Sequence, residues 1–195
     1  MDRWILGLSA ALVMGGCTVI KDSSPGRTAR EEMMIATAAD RAAQGIAASL
    51  PAGGKVFLDT ANFDATDGKF AIGAIRDQLM KRGDVLVGDR GSADSVVELR
   101  AAALSIDQAD TIWGIPQFSF PFPLAGEVTV PEIALYGQSL KRGVADFAAT
   151  QYSAKSGVFI ASTGPEYGYS DDRKQRVMLF FTWTKQDFAP RDELD

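Results

Sequence analysis

Hydrophobic and polar positions follow three different rhythms along this chain. Residues 4–14 are almost wholly apolar, residues 18–27 are largely polar, and helical and strand periods begin at about residue 28. From there Met34, Ile35, Ala38, Ala42, Ile46 and Leu50 fall close to one face of a helix. Thr28-Ala29-Arg30-Glu31 has the form of a capping box that opens it, and Pro51 and Gly53 stop it. An alanine-rich face of this kind permits close packing, most naturally against a sheet. Residues 55–59 (KVFLD) read as a short buried strand, and residues 60–69 as a polar loop. The period then predicts a helix over 70–82 that buries Ile72, Ile75 and Leu79, with Gly83 at the left-handed cap. Residues 85–87 are another short strand, which completes a β-α-β unit.

Beyond residue 95 longer strands are expected. Residues 95–106 (SVVELRAAALSI) alternate imperfectly, and residues 142–153 and 158–162 flank Ala154-Lys155-Ser156-Gly157 as a hairpin. Residues 177–184 (VMLFFTWT) are apolar on both faces, which predicts a strand placed centrally or beneath a helix. The expected fold class is α+β: two helices packed on one face of a mixed, mostly antiparallel sheet of about five or six strands. It forms one domain over 28–195, and no internal repeat is found.

Composition narrows the chemistry. The chain has 195 residues and a formal net charge of −5 with no long run of one sign, a poor match to the clustered positive surface that nucleic acid needs. It contains no histidine and one cysteine, Cys17. Ser-His and Cys-His pairs, His-based zinc sites, intramolecular disulfides and CxxC redox pairs are therefore excluded. GxSxG, SxxK, Walker and GxGxxG motifs are also missing, so no catalytic residue, cofactor or metal is assigned.

The unusual segment is 112–136, IWGIPQFSFPFPLAGEVTVPEIALY. Its prolines at 116, 121, 123 and 131 oppose a regular helix or a central strand. Trp113, Phe118, Phe120, Phe122 and Tyr136 are the candidate surface for a partner or ligand, and Phe118-Ser119-Phe120-Pro121-Phe122 would set three rings on one side of an extended chain. Alternatively the segment is a long crossover whose rings fold back and complete the core. Asp59, Asp64 and Asp67 read mainly as turn and cap residues. Residues 164–172 (GPEYGYSDD) read as a polar, aromatic surface loop able to stack on a peptide or sugar, and residues 173–176 as a solvated charge cluster.

The N-terminus carries the clearest motif. Arg3 precedes the apolar run, Gly15-Gly16 are small, and Cys17 follows directly. The arrangement resembles the lipobox of bacterial lipoproteins, with Met14 where Leu is usual; a plain secretory signal and a retained membrane helix are the alternatives. The resemblance implies a signal peptide over 1–16, a diacylglyceryl-modified Cys17 and a flexible tether to residue 27. Thr18 rather than Asp after the Cys is similar to the outer-membrane pattern. Gly16-Cys17-Thr18, Pro25-Gly26-Arg27-Thr28-Ala29, Lys55-Val56-Phe57-Leu58-Asp59, Gly114-Ile115-Pro116, Pro123-Leu124-Ala125-Gly126 and Pro131-Glu132-Ile133-Ala134-Leu135 together resemble an uncharacterised family of proteobacterial lipoproteins, a domain of unknown function. At the level of architecture alone the chain is similar to periplasmic domains of envelope-assembly lipoproteins, such as the curli secretion channel, which does not transfer function.

Three functions are in view. The first is a non-enzymatic envelope scaffold or assembly protein, held on a membrane by its N-terminal lipid, with an envelope protein or another copy as partner. The second is a lipoprotein that binds a small apolar or glycan ligand. The third is a carboxylate-based glycan hydrolase, which needs two acids flanking a cleft.

Overall fold

A computed structural model describes residues 26–115, 117–122, 126–131, 133–178 and 181–188, excepting the side chains of Phe122, Ile133 and Ala134. The expected signal and the expected tether as far as residue 25, Cys17 included, lie outside the described residues, as do residues 189–195.

The order is α1 (Ala29–Ser49), β1 (Lys55–Asp59), α2 (Gly68–Lys81), β2 (Val85–Val87), a 3-10 turn (Arg90–Ser92), β3 (Ser95–Ile115), β4 (Phe118–Phe122), β5 (Gly126–Val130), β6 (Ile133–Ser153), β7 (Phe159–Ser162), β8 (Glu166–Val177) and β9 (Phe181–Gln186). The fold is α+β, as expected, but the main sheet has seven strands rather than five or six. Its order is β2-β1-β3-β6-β8-β9, with β7 also on β6, and β4 and β5 form a separate two-stranded sheet. β1 is parallel to β2 and β3; every other pair is antiparallel.

α1 begins where the capping box places it. The Glu31 amide donates to Thr28 Oγ1 at 3.3 Å, and the Thr28 amide donates to Glu31 Oε2 at 3.0 Å. Its face of Met34, Ile35, Ala38, Ala39, Ala42, Ala43 and Ile46 is buried against the sheet. The sheet is built from small residues there. A Cβ on Gly168 would overlap the Ala38 carbonyl oxygen, and one on Gly143 would stand 2.9 Å from the Met34 carbonyl oxygen. Buried Ser170 lies between them and donates its hydroxyl to that Met34 carbonyl at 2.8 Å. Helix and strands thus meet at backbone distance, a contact that larger side chains would forbid.

α2 starts two residues earlier than expected, after Asp67, and buries Ala71, Ile75 and Leu79, while Ile72 is half-buried. Gly83 has φ +102°, the left-handed conformation that ends the helix. Arg82 then caps the other helix. Its guanidinium donates to the carbonyls of Ala47 and Leu50 at 2.5 and 2.8 Å, two of the acceptors left open at the end of α1. Buried Asp84 holds that guanidinium at 2.6 Å and accepts from the Gly53 amide at 2.6 Å. The core is completed by Val56, Val97, Leu99 and Phe147, with Phe63 tilted on Phe147 at 5.1 Å between ring centres. Each fully buried side chain of this size contributes about 1.5–3 kcal/mol relative to exposure.

Two expectations are corrected. Residues 177–184 are not one central strand: β8 ends at Val177, Met178 turns with φ +49°, and β9 follows at the sheet edge. Their two-faced apolar character comes from a turn between two strands. Residues 164–172 are not a surface loop either, because β8 begins at Glu166 and carries the charges of 173–176 within it. Gly168, Ser170 and Asp172 look like turn residues in sequence, yet they are the small and polar groups that let α1 sit down on the strand.

Candidate functional site: an uncovered sheet arm

β3 and β6 are each 21 residues long, about 70 Å at roughly 3.3 Å per residue. Their first part lies under the helices. Past Ile106 and Arg142 they continue with β8 and β9 as a four-stranded arm, and every residue from Asp107 to Ile115 is exposed.

Register sorts the arm's residues onto two faces, since directly paired residues share a face. On one face Trp113, Tyr136, Val177 and Phe181 form a row, followed by Thr111, Gln138, Gln175 and Trp183, then Ala109, Leu140, Arg173 and Lys185. On the other, Ile112, Gly137, Arg176 and Thr182 are followed by Asp110, Ser139, Lys174 and Thr184. One face is aromatic towards the tip and the other is almost entirely polar. Trp113 is 72% exposed, Phe181 66% and Trp183 46%.

Polar atoms of these rings are held within the protein. Trp183 donates its indole N–H to Gln175 Oε1 at 2.6 Å. Tyr136 donates its hydroxyl to Gln138 Oε1 at 3.0 Å, and Gln175 Nε2 donates to the same oxygen at 3.1 Å and to the Tyr136 hydroxyl at 3.3 Å. Two glutamines therefore satisfy the polar atoms of two rings within the sheet. At the far end β4 and β5 form a small hairpin in which Phe118 and Phe120 pair with Val130 and Val128. The two rings stack at 6.2 Å, half exposed, while Ser119 and Thr129 bond across the opposite side at 2.9 Å. Pro121 is accommodated because this sheet has only edge strands.

Of the five candidate residues, the structure brings Trp113 and Tyr136 together as cross-strand neighbours. It places Phe118 and Phe120 on the tip hairpin, and pairs Phe122 with Gly126 while its side chain lies outside the description. The reading in which this segment folds back to complete the core is overturned by the exposure of Trp113, Phe118 and Phe120. Phe181, Trp183, Gln138 and Gln175 were not anticipated. Phe181 and Trp183 do stand at a spacing of two, which marked them in retrospect as residues of one strand face.

A band of charge divides the aromatic face from the base. Arg142 binds Asp171 through Nε at 2.7 Å and through Nη2 at 3.2 Å, which holds the Asp171 carboxyl below its usual range. The Arg142 guanidinium also lies 5.7 Å above the Tyr169 ring, which stacks on exposed Tyr167 at 6.1 Å. On the helix side Lys141 donates to Glu31 at 2.6 Å, and that bond is the main reason the Glu31 carboxyl falls from 4.5 to about 2.

Asp59, Asp64 and Asp67 do not form a cation site. Asp59 accepts from the Ala61 amide at 3.0 Å, Asp67 pairs with Arg27, Asp64 is exposed, and no metal-holding group occurs among the described residues. A shallow depression on the arm includes Asp110, Ile112, Gly137, Ser139, Lys174 and Arg176, with Asp110 as the one carboxylate of its lining. None of the five candidate aromatics lines it. Among the described residues no helix is long and apolar enough to cross a membrane, which says nothing about strands.

Base and arm together define an α+β protein with a helix-covered core and a two-faced sheet arm that no helix among the described residues covers. Residues 11–178 match a family of unknown function (DUF6655), and the chain belongs to that family. Comparison with curated proteins finds no match.

Proposed function

We propose that this chain is a lipid-anchored envelope protein that acts by contact rather than by catalysis, with Cys17 as its anchor and the aromatic face of the arm as its contact surface. The carrying observation is that Trp113, Phe181 and Trp183 stand on a sheet face that no helix among the described residues covers. Such patches on soluble domains mark interaction sites, and aromatic residues dominate the energy of interfaces. The lipobox-like sequence supports a location on a bacterial membrane, by resemblance the proteobacterial outer membrane facing the periplasm. Acyl chains hold it there, each buried CH₂ contributing about 0.8 kcal/mol. A small apolar or glycan ligand is less well supported, because none of the five candidate aromatics lines the depression of the arm. Glycan hydrolysis needs two acids, and the lining supplies Asp110 alone.

The test is intact-mass spectrometry of the protein from native membranes, with a parallel sample gently crosslinked. The expected mass begins at acylated Cys17, with a crosslink through residues 112–136. An unacylated mass cleaved elsewhere would overturn the anchor, and an acylated chain with no crosslink through the arm would overturn the contact surface.

A further inference from the structure

Sideways, the arm ends in two strand edges. β3 is bonded to β1 only over Ser95 to Glu98, so from Leu99 onwards its outer side meets no strand among the described residues. β9 has β8 on one side and no strand among the described residues on the other. Between the irregularities at Ala101/Ala103 and Trp113/Gly114 the β3 register is unbroken, and neither edge carries a proline. Open backbone of this length is a template for another strand, which proteins ordinarily cover, twist away or interrupt.

The two edges fit each other. β3, β6, β8 and β9 alternate in direction, so β9 runs antiparallel to β3. A second copy set beside the first, facing the same way, brings its β3 against β9 of its neighbour as a further antiparallel pair. Aromatic face then continues aromatic face: in the register that sets Lys185 opposite Asp107, Phe181 stands beside Thr111 and Trp183 beside Ala109, and polar face continues polar face. Charge agrees as well. Lys185 lies directly opposite Arg173 on β8, a like-charge pair, whereas Asp107 stands on the same face at the β3 edge.

We propose that copies of this chain associate head to tail through their arms, the β9 edge of one pairing with the β3 edge of the next; this rests on the reading of the arm as a contact surface and names its partner. The interface is heterologous, so each copy uses both edges and the series extends beyond a dimer. Lipid anchorage keeps all copies on one membrane in one orientation, which favours a repeated in-plane step.

The experiment uses the full acylated chain in detergent with Asp107→Cys, Lys185→Cys and both together, under mild oxidation. Both positions are exposed, and thermal unfolding checks that each variant is folded. Within one chain they lie three strand spacings apart and two residues offset along the strands, about 16 Å, too far for a disulfide. Mixing the two single variants is expected to give a dimer joined 107 to 185, as identified by peptide mass. The double variant is expected to give a ladder of three or more copies, and each single variant alone no 107–107 or 185–185 link. Self-linking single variants, or a mixture without the 107–185 disulfide, would overturn the proposal. Carbodiimide crosslinking in native membranes, which can join Glu127 or Glu132 to a lysine of a neighbour, separates the two failures: capture of a different protein at residues 112–136 would leave the contact surface standing, and capture of nothing would remove it too.

Discussion

The same two strands, β3 and β6, pass through regions that the rest of the fold treats in opposite ways. In the base, Val97, Leu99, Ala145, Phe147 and Ala149 are buried under α1 and α2. In the arm, the residues that continue those strands face solvent, including Ile112, Trp113 and Ile115. The base draws its stability from apolar burial and backbone-close packing of Ala on Gly. The arm has only its hydrogen-bonded ladder and cross-strand pairs, and large rings in excess of what the fold itself uses. A strand can therefore be structural along half its length and presented along the other half. What differs is not the strand sequence alone but which helix lies over it.

That contrast predicts unequal responses to substitution. Phe147→Ala, at a fully buried ring in the base, should lower unfolding stability by about 3–5 kcal/mol in urea titrations. Gly168→Ala should cost about 1–3 kcal/mol by lifting α1 from β8, although it adds a single methyl group. A pH series isolates the join between the two regions, where Lys141 of the arm's root meets Glu31 of the helix. The Glu31 carboxyl is held at about 2 instead of 4.5. Its ionised form therefore stabilises the fold above its ordinary value, and that contribution is lost as pH falls from 4.5 towards 2. Partial exposure screens the pair, so about 1 kcal/mol should disappear over that window. Lys141→Met should flatten the Glu31 part of the profile, and an unchanged profile would show that the pair does not act this way. The smallest effect belongs to the arm: Trp113→Ala should move stability by no more than about 0.5 kcal/mol. A larger loss there would erase the distinction between arm and base.

The base was legible in sequence and the arm was not. α1, β1, α2 and β2 announce themselves through caps, periods and stop residues that act within a few positions, and each forms close to where those signals place it. β3 was expected to stop near Ile106 because Asp107, Gln108 and Asp110 do not read as strand; it continues because β6 supplies a partner for each of them. Gly168 and Ser170 read as loop residues because nothing local reveals that a helix will pack on them. The aromatic segment stands out in sequence, but whether Trp113 and Phe118 lie inside or outside depends on helices elsewhere in the chain.

The most direct test of the arm as a presented surface is the triple substitution Trp113→Ser, Phe181→Ser and Trp183→Ser, measured by thermal unfolding and by crosslinked copurification from membranes. The expected result is an unfolding midpoint close to that of the parent chain together with loss of the crosslinked partner. A triple variant that unfolds would show that those rings hold the protein together, and the division into a structural base and a presented arm would be wrong.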